Sequence, residues 1–294
     1  MKPSRLLLYV LLACALLAPA HGQVGVLLTV KRRHYLRHEP VIGTVTLTNT
    51  SGRDLTLEDT PQLQWFGFQI NGPGNSIIPP RNPDYGLDPI ELRAGETVKK
   101  SVNINELYTL GDPGPLKIRA TIYLAGTKRY YTSPLVQIEI TEGRQLTRQA
   151  AGVPEGLTNG GDTHMFTLLT DYHEEKRMLY VRVEGQSDGR VFGTYPLGRL
   201  IDGAPVQAEF DTGNNFHILH LTGRQAWILS KIGVNGEFLG QTNYSAPKTR
   251  PTLRRLADGR LQIVGGQKEA PIAQQVMPTE PPAKLSDRPP GLPR

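Results

Sequence analysis

The stretch 40–49 constrains this chain more than any other. Val41, Gly43, Val45 and Leu47 alternate with Ile42, Thr44, Thr46 and Thr48, so one set is largely apolar and the other largely threonine. Successive side chains on a strand point to opposite faces, and a period of two therefore predicts a strand with one buried face and one solvated face. The same grammar recurs along the chain. Apolar segments at 24–30, 55–57, 64–70, 90–92, 97–104, 116–124 and 135–140 are separated by turns such as Thr50-Ser51-Gly52-Arg53 and Ala94-Gly95-Glu96. Such spacing predicts about seven strands in a two-sheet sandwich. A total of 31 glycines and 24 prolines suits a chain of many turns.

The segment 163–269 has shorter strands and more regular turns: Ser187-Asp188-Gly189, Asp202-Gly203, Asp211-Thr212-Gly213-Asn214, Val234-Asn235-Gly236 and Asp258-Gly259. It carries a faint internal period of roughly 36–40 residues, with Tyr180, His217 and Thr252 at matching places. Leu197 to Gly203 and Ser230 to Gly236 read as equivalent segments within that period. The length allows fewer than three four-stranded units, so an open antiparallel meander is expected rather than a closed ring. Between the two units, 142–162 lacks periodicity and reads as a linker. The stretch 270–294 is rich in proline and poor in apolar residues, and is expected to be disordered.

At the start, Lys2 and Arg5 precede an apolar run, Leu6 to Leu17, and small residues follow at Ala18, Ala20 and Gly22. The pattern predicts a signal peptide over 1–22 and a secreted or periplasmic protein. The run is too short to span a bilayer, and no later segment is apolar enough to do so. Leu11-Leu12-Ala13-Cys14 loosely matches a lipoprotein box, but Ala15, Leu16 and Leu17 continue the apolar run, so lipidation is not expected. Cys14 is the only cysteine. A mature chain from about residue 23 would have no disulfide, thiol nucleophile or cysteine metal site. Losing Lys2 and Arg5 would take the formal charge from +6 to +4, modest enough that only a clustered patch would argue for an anionic partner.

Three segments carry a resemblance. They are Glu39-Pro40-Val41 leading into Thr46 to Ser51, then Leu92 with Ala94-Gly95-Glu96-Thr97, and Tyr108 and Leu110 followed by Pro113-Gly114-Pro115 and an alternating run to Tyr123. Together they resemble the immunoglobulin-like sandwich domains of secreted bacterial proteins. That resemblance implies an adhesive or spacer fold over 23–141 and no particular activity. The unit at 163–269 resembles propeller-type β repeats. The expected fold is thus all-β: an immunoglobulin-like sandwich, a linker, a meander of blade-like hairpins and a disordered tail.

Asp211-Thr212-Gly213 is the sharpest candidate for chemistry. With the preceding Ile201 to Phe210 it resembles retroviral-type aspartic proteases, and Ile263-Val264-Gly265 resembles their later apolar-apolar-Gly step. The resemblance implies a catalytic Asp211 paired with a second aspartate across a homodimer, sharing a proton to activate water. Asn214 and Glu209 depart from the motif. Asp, Thr, Gly and Asn are also what a hairpin turn requires, and the turn reading is preferred. His217 and His220 are three apart; on a strand they face opposite ways and cannot share a metal. Asp171, His173, Glu174 and Glu175 fit a solvated turn. No metal site and no cofactor is expected.

Lys31, Arg32, Arg33 and Arg37 form the densest basic run and are candidates for a polyanion patch, with Arg250, Arg254 and Arg255 a weaker group. Trp65 and Phe66 are candidate contact residues beside the loop at 71–89, though core packing is the default for such rings. The chain therefore reads as an exported non-enzymatic binding or scaffold protein. Its partner would be a protein or polysaccharide of the envelope or extracellular space, not a nucleic acid. An aspartic peptidase acting through Asp211 is the alternative.

Overall fold

The computed structural model describes residues 23–83, 85–173 and 175–269. The signal expected over 1–22 and the tail expected over 270–294 lie outside the described residues. The chain is all-β and divides into two compact units between Gly143 and Arg144.

In the first unit, β1 (Val24–Val30), β3 (Ile42–Asn49) and β7 (Thr97–Asn103) form an antiparallel sheet in the order β1-β3-β7. The alternation in β3 is realised: Gly43, Val45 and Leu47 are buried, and the threonines lie on the other face. There Thr44 and Ser101 meet at 3.2 Å and Thr48 and Thr97 at 3.0 Å, a cross-strand hydroxyl ladder. Gly43 is required by close approach, since a Cβ there would lie 3.1 Å from both the Ile104 and Leu28 side chains. The second sheet runs β2 (His34–Leu36), β10 (Val136–Thr141), β8 (Gly114–Leu124), β5 (Phe66–Asn71), with β9 (Arg129–Thr132) also on β8. β2 and β10 pair in parallel.

Both sheets contribute to one hydrophobic core, which includes Leu28, Val45 and Leu47 from one and Phe68, Ile118 and Ile138 from the other. Each such side chain, fully buried, contributes about 1.5–3 kcal/mol. β4 (Leu55–Leu57) pairs β6 (Ile90–Leu92). Buried Asn49 locks the turn before β4. Its Nδ2 donates to the carbonyls of Arg53 at 2.7 Å and Leu92 at 2.8 Å, and its Oδ1 accepts from the Ser51 N–H at 2.9 Å. After β7 the chain makes one helical turn, α1 (Ile104–Leu107), capped by the Asn103 side chain.

The second unit holds two four-stranded antiparallel meanders. The first is β11 (Arg144–Gly152), β12 (Thr163–His173), β13 (Lys176–Gly185) and β14 (Val191–Arg199). The second is β15 (Gln207–Phe210), β16 (Phe216–Leu221), β17 (Ala226–Ile232) and β18 (Phe238–Ser245). A hairpin of β19 (Thr252–Arg255) and β20 (Leu261–Val264) follows, and β21 (Gln267–Lys268) extends the second meander.

The second meander is covered on both faces. Phe216, Ile218 and Ile232 pack with Phe166, Leu168 and Val181 of the first meander. Leu219 and Trp227, on the other face, pack with Leu253 of the hairpin and its partly buried neighbours Leu261 and Ile263. Phe166, Phe210 and Phe216 stack against one another at 4.7–5.2 Å between the first two sheets.

Two expectations need correction. Arg144–Gly152, read as part of a linker, is a nine-residue strand. Its residues are mostly exposed, so they show little apolar alternation. Pairing with β12, from Arg144 opposite Thr170 to Gly152 opposite Thr163, imposes the extended form. The second unit does contain two meanders, but the expected period of roughly 36–40 residues is not realised: Tyr180 lies on the third strand of the first meander, His217 on the second strand of the second, and Thr252 on the separate hairpin. Leu197 to Gly203 leads out of β14 at the end where Leu200 N donates to the Arg177 carbonyl, whereas Val234 lies at the opposite end, its carbonyl 2.7 Å from His164 Nδ1. The two segments are therefore not equivalent.

If β11 completes the first meander, a fragment spanning 144–269 should melt as one cooperative β-rich unit, and one spanning 153–269 should lose that transition. Circular dichroism melts check this; equal cooperativity in the two fragments would remove β11 from the fold.

Candidate functional site

Asp211 sits in the turn joining β15 to β16. Its backbone N–H donates to the Asn215 carbonyl at 2.9 Å, and Asn214 N–H donates to the Asp211 carbonyl at 3.0 Å. Asn214 takes the left-handed conformation, φ 57°, which asparagine tolerates better than most side chains. Its side-chain N–H donates to the Gly152 carbonyl at 2.8 Å, fastening the turn to β11. These contacts explain why asparagine stands where the protease motif departs.

The Asp211 carboxylate is fully occupied. Oδ1 accepts from the N–H groups of Gly213 and Asn215, both at 2.9 Å, and from Asn215 Nδ2 at 3.1 Å. Oδ2 accepts from His217 Nε2 at 2.9 Å and Asn215 Nδ2 at 3.0 Å, with Lys231 Nζ at 3.2 Å. Burial alone would raise this carboxyl, but the hydrogen bonds from His217, Asn215 and Lys231 outweigh it and hold the group well below the usual carboxylate range. Sheet register assembles the cluster: His217 stands opposite Lys231 on one side and Glu209 on the other. Glu209 in turn meets Arg255 at 3.5 Å. A catalytic aspartate shared across a dimer needs a free oxygen and a proton held between two carboxylates. Asp211 instead has both oxygens filled by donors of its own chain.

Acids meet part of the basic run. Arg32 is ion-paired with the buried Glu39, and its guanidinium lies 4.9 Å from the Tyr35 ring centroid. Arg37 meets Glu142 at 2.7 Å, and His34 meets Glu139 at 3.4 Å. Lys31 and Arg33 are the exposed members. Of the four candidate cations, Arg32 and Arg37 are thus paired with acids and Lys31 and Arg33 stand in solvent.

Trp65 and Phe66, expected as possible contact residues, belong to the core: Trp65 is fully buried and Phe66 nearly so. Trp65 Nε1 donates to the Leu87 carbonyl at 3.0 Å, which ties the 71–89 loop down over the ring. Tyr85 from the same loop reaches the Tyr108 hydroxyl at 3.2 Å and donates to the Phe66 carbonyl at 3.3 Å. Burial drives the Tyr85 phenol strongly upward, so it stays neutral and donates. The aromatic run is thus the inner wall of the first unit.

His217 and His220 lie on opposite faces of β16, as expected of a strand. His220 is fully buried between the meanders, with the Arg199 backbone beside its ring. Burial pushes its pKa down to about 4, and the Arg199 backbone offsets part of that shift. Asp171 and His173 lie 4.0 Å apart and are mostly buried, more enclosed than a solvated turn. Glu174 lies outside the described residues. Among the described residues no group of three or more His, Cys, Asp or Glu could hold a metal, and no helix is long and apolar enough to cross a membrane.

Two clefts open at the end of the second unit opposite Asp211. One, of about 300 Å³, lies between the meanders and is lined by Leu146, Leu168, Leu200 and Val206, with Arg177 paired to Asp202 at 3.0 Å across it. The other, of about 380 Å³, lies between the second meander and the chain leading to the hairpin. Leu221, Trp227 and Ala246 form its floor, and Arg224, Lys248 and Arg250 its rim. Arg250 was visible in the sequence as part of a weak basic group; Arg224 and Lys248 were missed. Alternate turns of a meander share one end, and that rule, applied to the turn at 222–225 and the segment at 246–251, would have brought the three cations together.

A scan against protein-family models finds no match, and neither does a search of curated proteins.

The His220 shift has a definite sign. A histidine whose folded pKa lies below its unfolded value of 6.5 contributes stability above pH 6.5 that is lost as pH falls toward 4. Over that window the parent should lose on the order of 3 kcal/mol more than His220→Leu. Urea unfolding of the two proteins at several pH values checks this; parallel pH profiles would show that His220 is not held neutral.

Proposed function

We propose that this chain is an exported, non-enzymatic binding protein, secreted or periplasmic. Its first unit serves as an immunoglobulin-like spacer, and its second, a blade-like stack, carries the ligand. The observation that supports this reading best is the state of Asp211. The one residue whose sequence context suggested catalysis caps a turn and anchors His217 and Lys231 of the neighbouring strands. The clefts at the opposite end of the same unit are formed by loops on a rigid sheet frame, a common arrangement for recognition. The partner is an envelope or extracellular protein or polysaccharide.

The rival reading, a homodimeric aspartic peptidase, predicts acid-optimal cleavage that Asp211→Asn abolishes. On the binding reading, the parent cleaves no member of a peptide library between about pH 3 and 7. Asp211→Asn then changes stability alone: it keeps the turn but loses charge-assisted bonds to His217 and Lys231, costing about 1–3 kcal/mol. Library cleavage read by mass spectrometry, with a thermal melt of each protein, separates the two. Acid-dependent cleavage by the parent and none by the variant would overturn the binding reading.

A further inference from the structure

The larger cleft of the second unit has a chemistry of its own. Arg224 comes from the β16–β17 turn, and Lys248 and Arg250 from the segment between β18 and β19. All three are exposed and none forms an ion pair among the described residues. Elsewhere in the unit Arg177, Lys231, Arg255 and Arg260 each meet a carboxylate. No Asp or Glu lines this cleft, and the neighbouring Asp202 is paired with Arg177.

The backbone beneath these cations is fixed. Ala246 N–H donates to the Gln225 carbonyl at 2.8 Å, joining the two rim segments, and Gly266 N–H donates to the Thr249 carbonyl at 3.0 Å. Gly265, at φ 77°, lies so close that a Cβ there would fall 2.5 Å from the Arg250 carbonyl oxygen. Association therefore orders side-chain tips rather than loops, which lowers its entropic cost.

The floor distinguishes between anions. Trp227 is 3% exposed and offers no ring face on which a sugar or a base could stack. Leu221 and Ala246, partly buried around it, instead leave an aliphatic depression suited to an apolar side chain. We propose that this cleft binds an acidic peptide segment, seating an apolar side chain on Leu221 and Ala246 above the buried Trp227 while flanking carboxylates pair with Arg224, Lys248 and Arg250. This rests on the binding reading above and narrows its partner to a protein with an exposed acidic stretch. Arginine's fork favours bidentate pairing with carboxylates, so Arg224 and Arg250 set orientation and Lys248 adds attraction.

The test uses the full chain and three fluorescent peptides of equal length: one alternating glutamate with leucine, one glutamine with leucine, and one glutamate with glycine. Binding is followed by anisotropy and by tryptophan emission, since Trp227 lines the cleft. The glutamate–leucine peptide should bind on the order of tenfold more tightly than either control, and less tightly as salt rises. The double variant Arg224→Gln/Arg250→Gln should lose at least about tenfold in affinity with its melting temperature unchanged. Equal binding of all three peptides, full binding by the double variant, or binding of a sulfated polysaccharide but no peptide would each overturn the proposal. The same peptides are checked for cleavage. Intact but unbound peptides defeat this inference alone, whereas acid-dependent cleavage defeats the binding reading beneath it.

Discussion

Burial of the second meander on both faces is the constraint on which the rest of the second unit depends. A sheet buried on one side needs only alternation; a sheet buried on both must carry apolar side chains at consecutive positions. β16 does so: Phe216, Ile218 and Leu219 are all fully buried. The aromatic wedge of Phe166, Phe210 and Phe216 fills the gap on one side, and Trp227 with Leu253 fills the other. With no cysteine among the described residues, this packing takes the place of covalent staples. It also creates the clefts. Sheets packed face to face stay apart by the thickness of their side chains, and where the strands end that gap opens to solvent.

The two ends of the stack are thereby specialised. At one end Asp211 gathers the donors of its own turn, a histidine and a lysine from two neighbouring strands, and through Asn214 the last carbonyl of β11. The polar groups around Asp211 satisfy one another. At the other end the loops at 222–225 and 246–251 leave Arg224, Lys248 and Arg250 without an ion pair among the described residues, beside Leu221, Trp227 and Ala246. Charges paired within the fold and charges left in solvent are separated by the length of a strand.

What the sequence disclosed follows from this division. Strands such as β3, with one face inward and one ladder of threonines outward, announce themselves by alternation. β11 did not, because only Ala151 among its residues is buried, and the strand exists through its hydrogen bonds to β12. The parallel pairing of β2 with β10 joins residues far apart in the chain through a three-residue strand, too short to carry a period. At the candidate site, the turn chemistry of Asp211 and the opposed faces of His217 and His220 were legible from local rules. The role of Lys231 was not, because only the register of β16 against β17 sets it beside His217. Some acidic partners of the basic run were hidden for the same reason: Glu139 and Glu142, which meet His34 and Arg37, lie about a hundred residues further on.

The account turns on Asp211 being a fixed anion rather than half of a proton-sharing pair. A carbon-13 NMR titration of its carboxyl carbon in the full chain, assigned with Asp211→Asn, tests this directly. Hydrogen bonds from His217, Asn215 and Lys231 depress the group, so its resonance should stay at the ionised position from neutral pH down past about 4, where free aspartates already titrate. A midpoint at or above the ordinary aspartate value, or two coupled steps as in a carboxylate dyad, would contradict it.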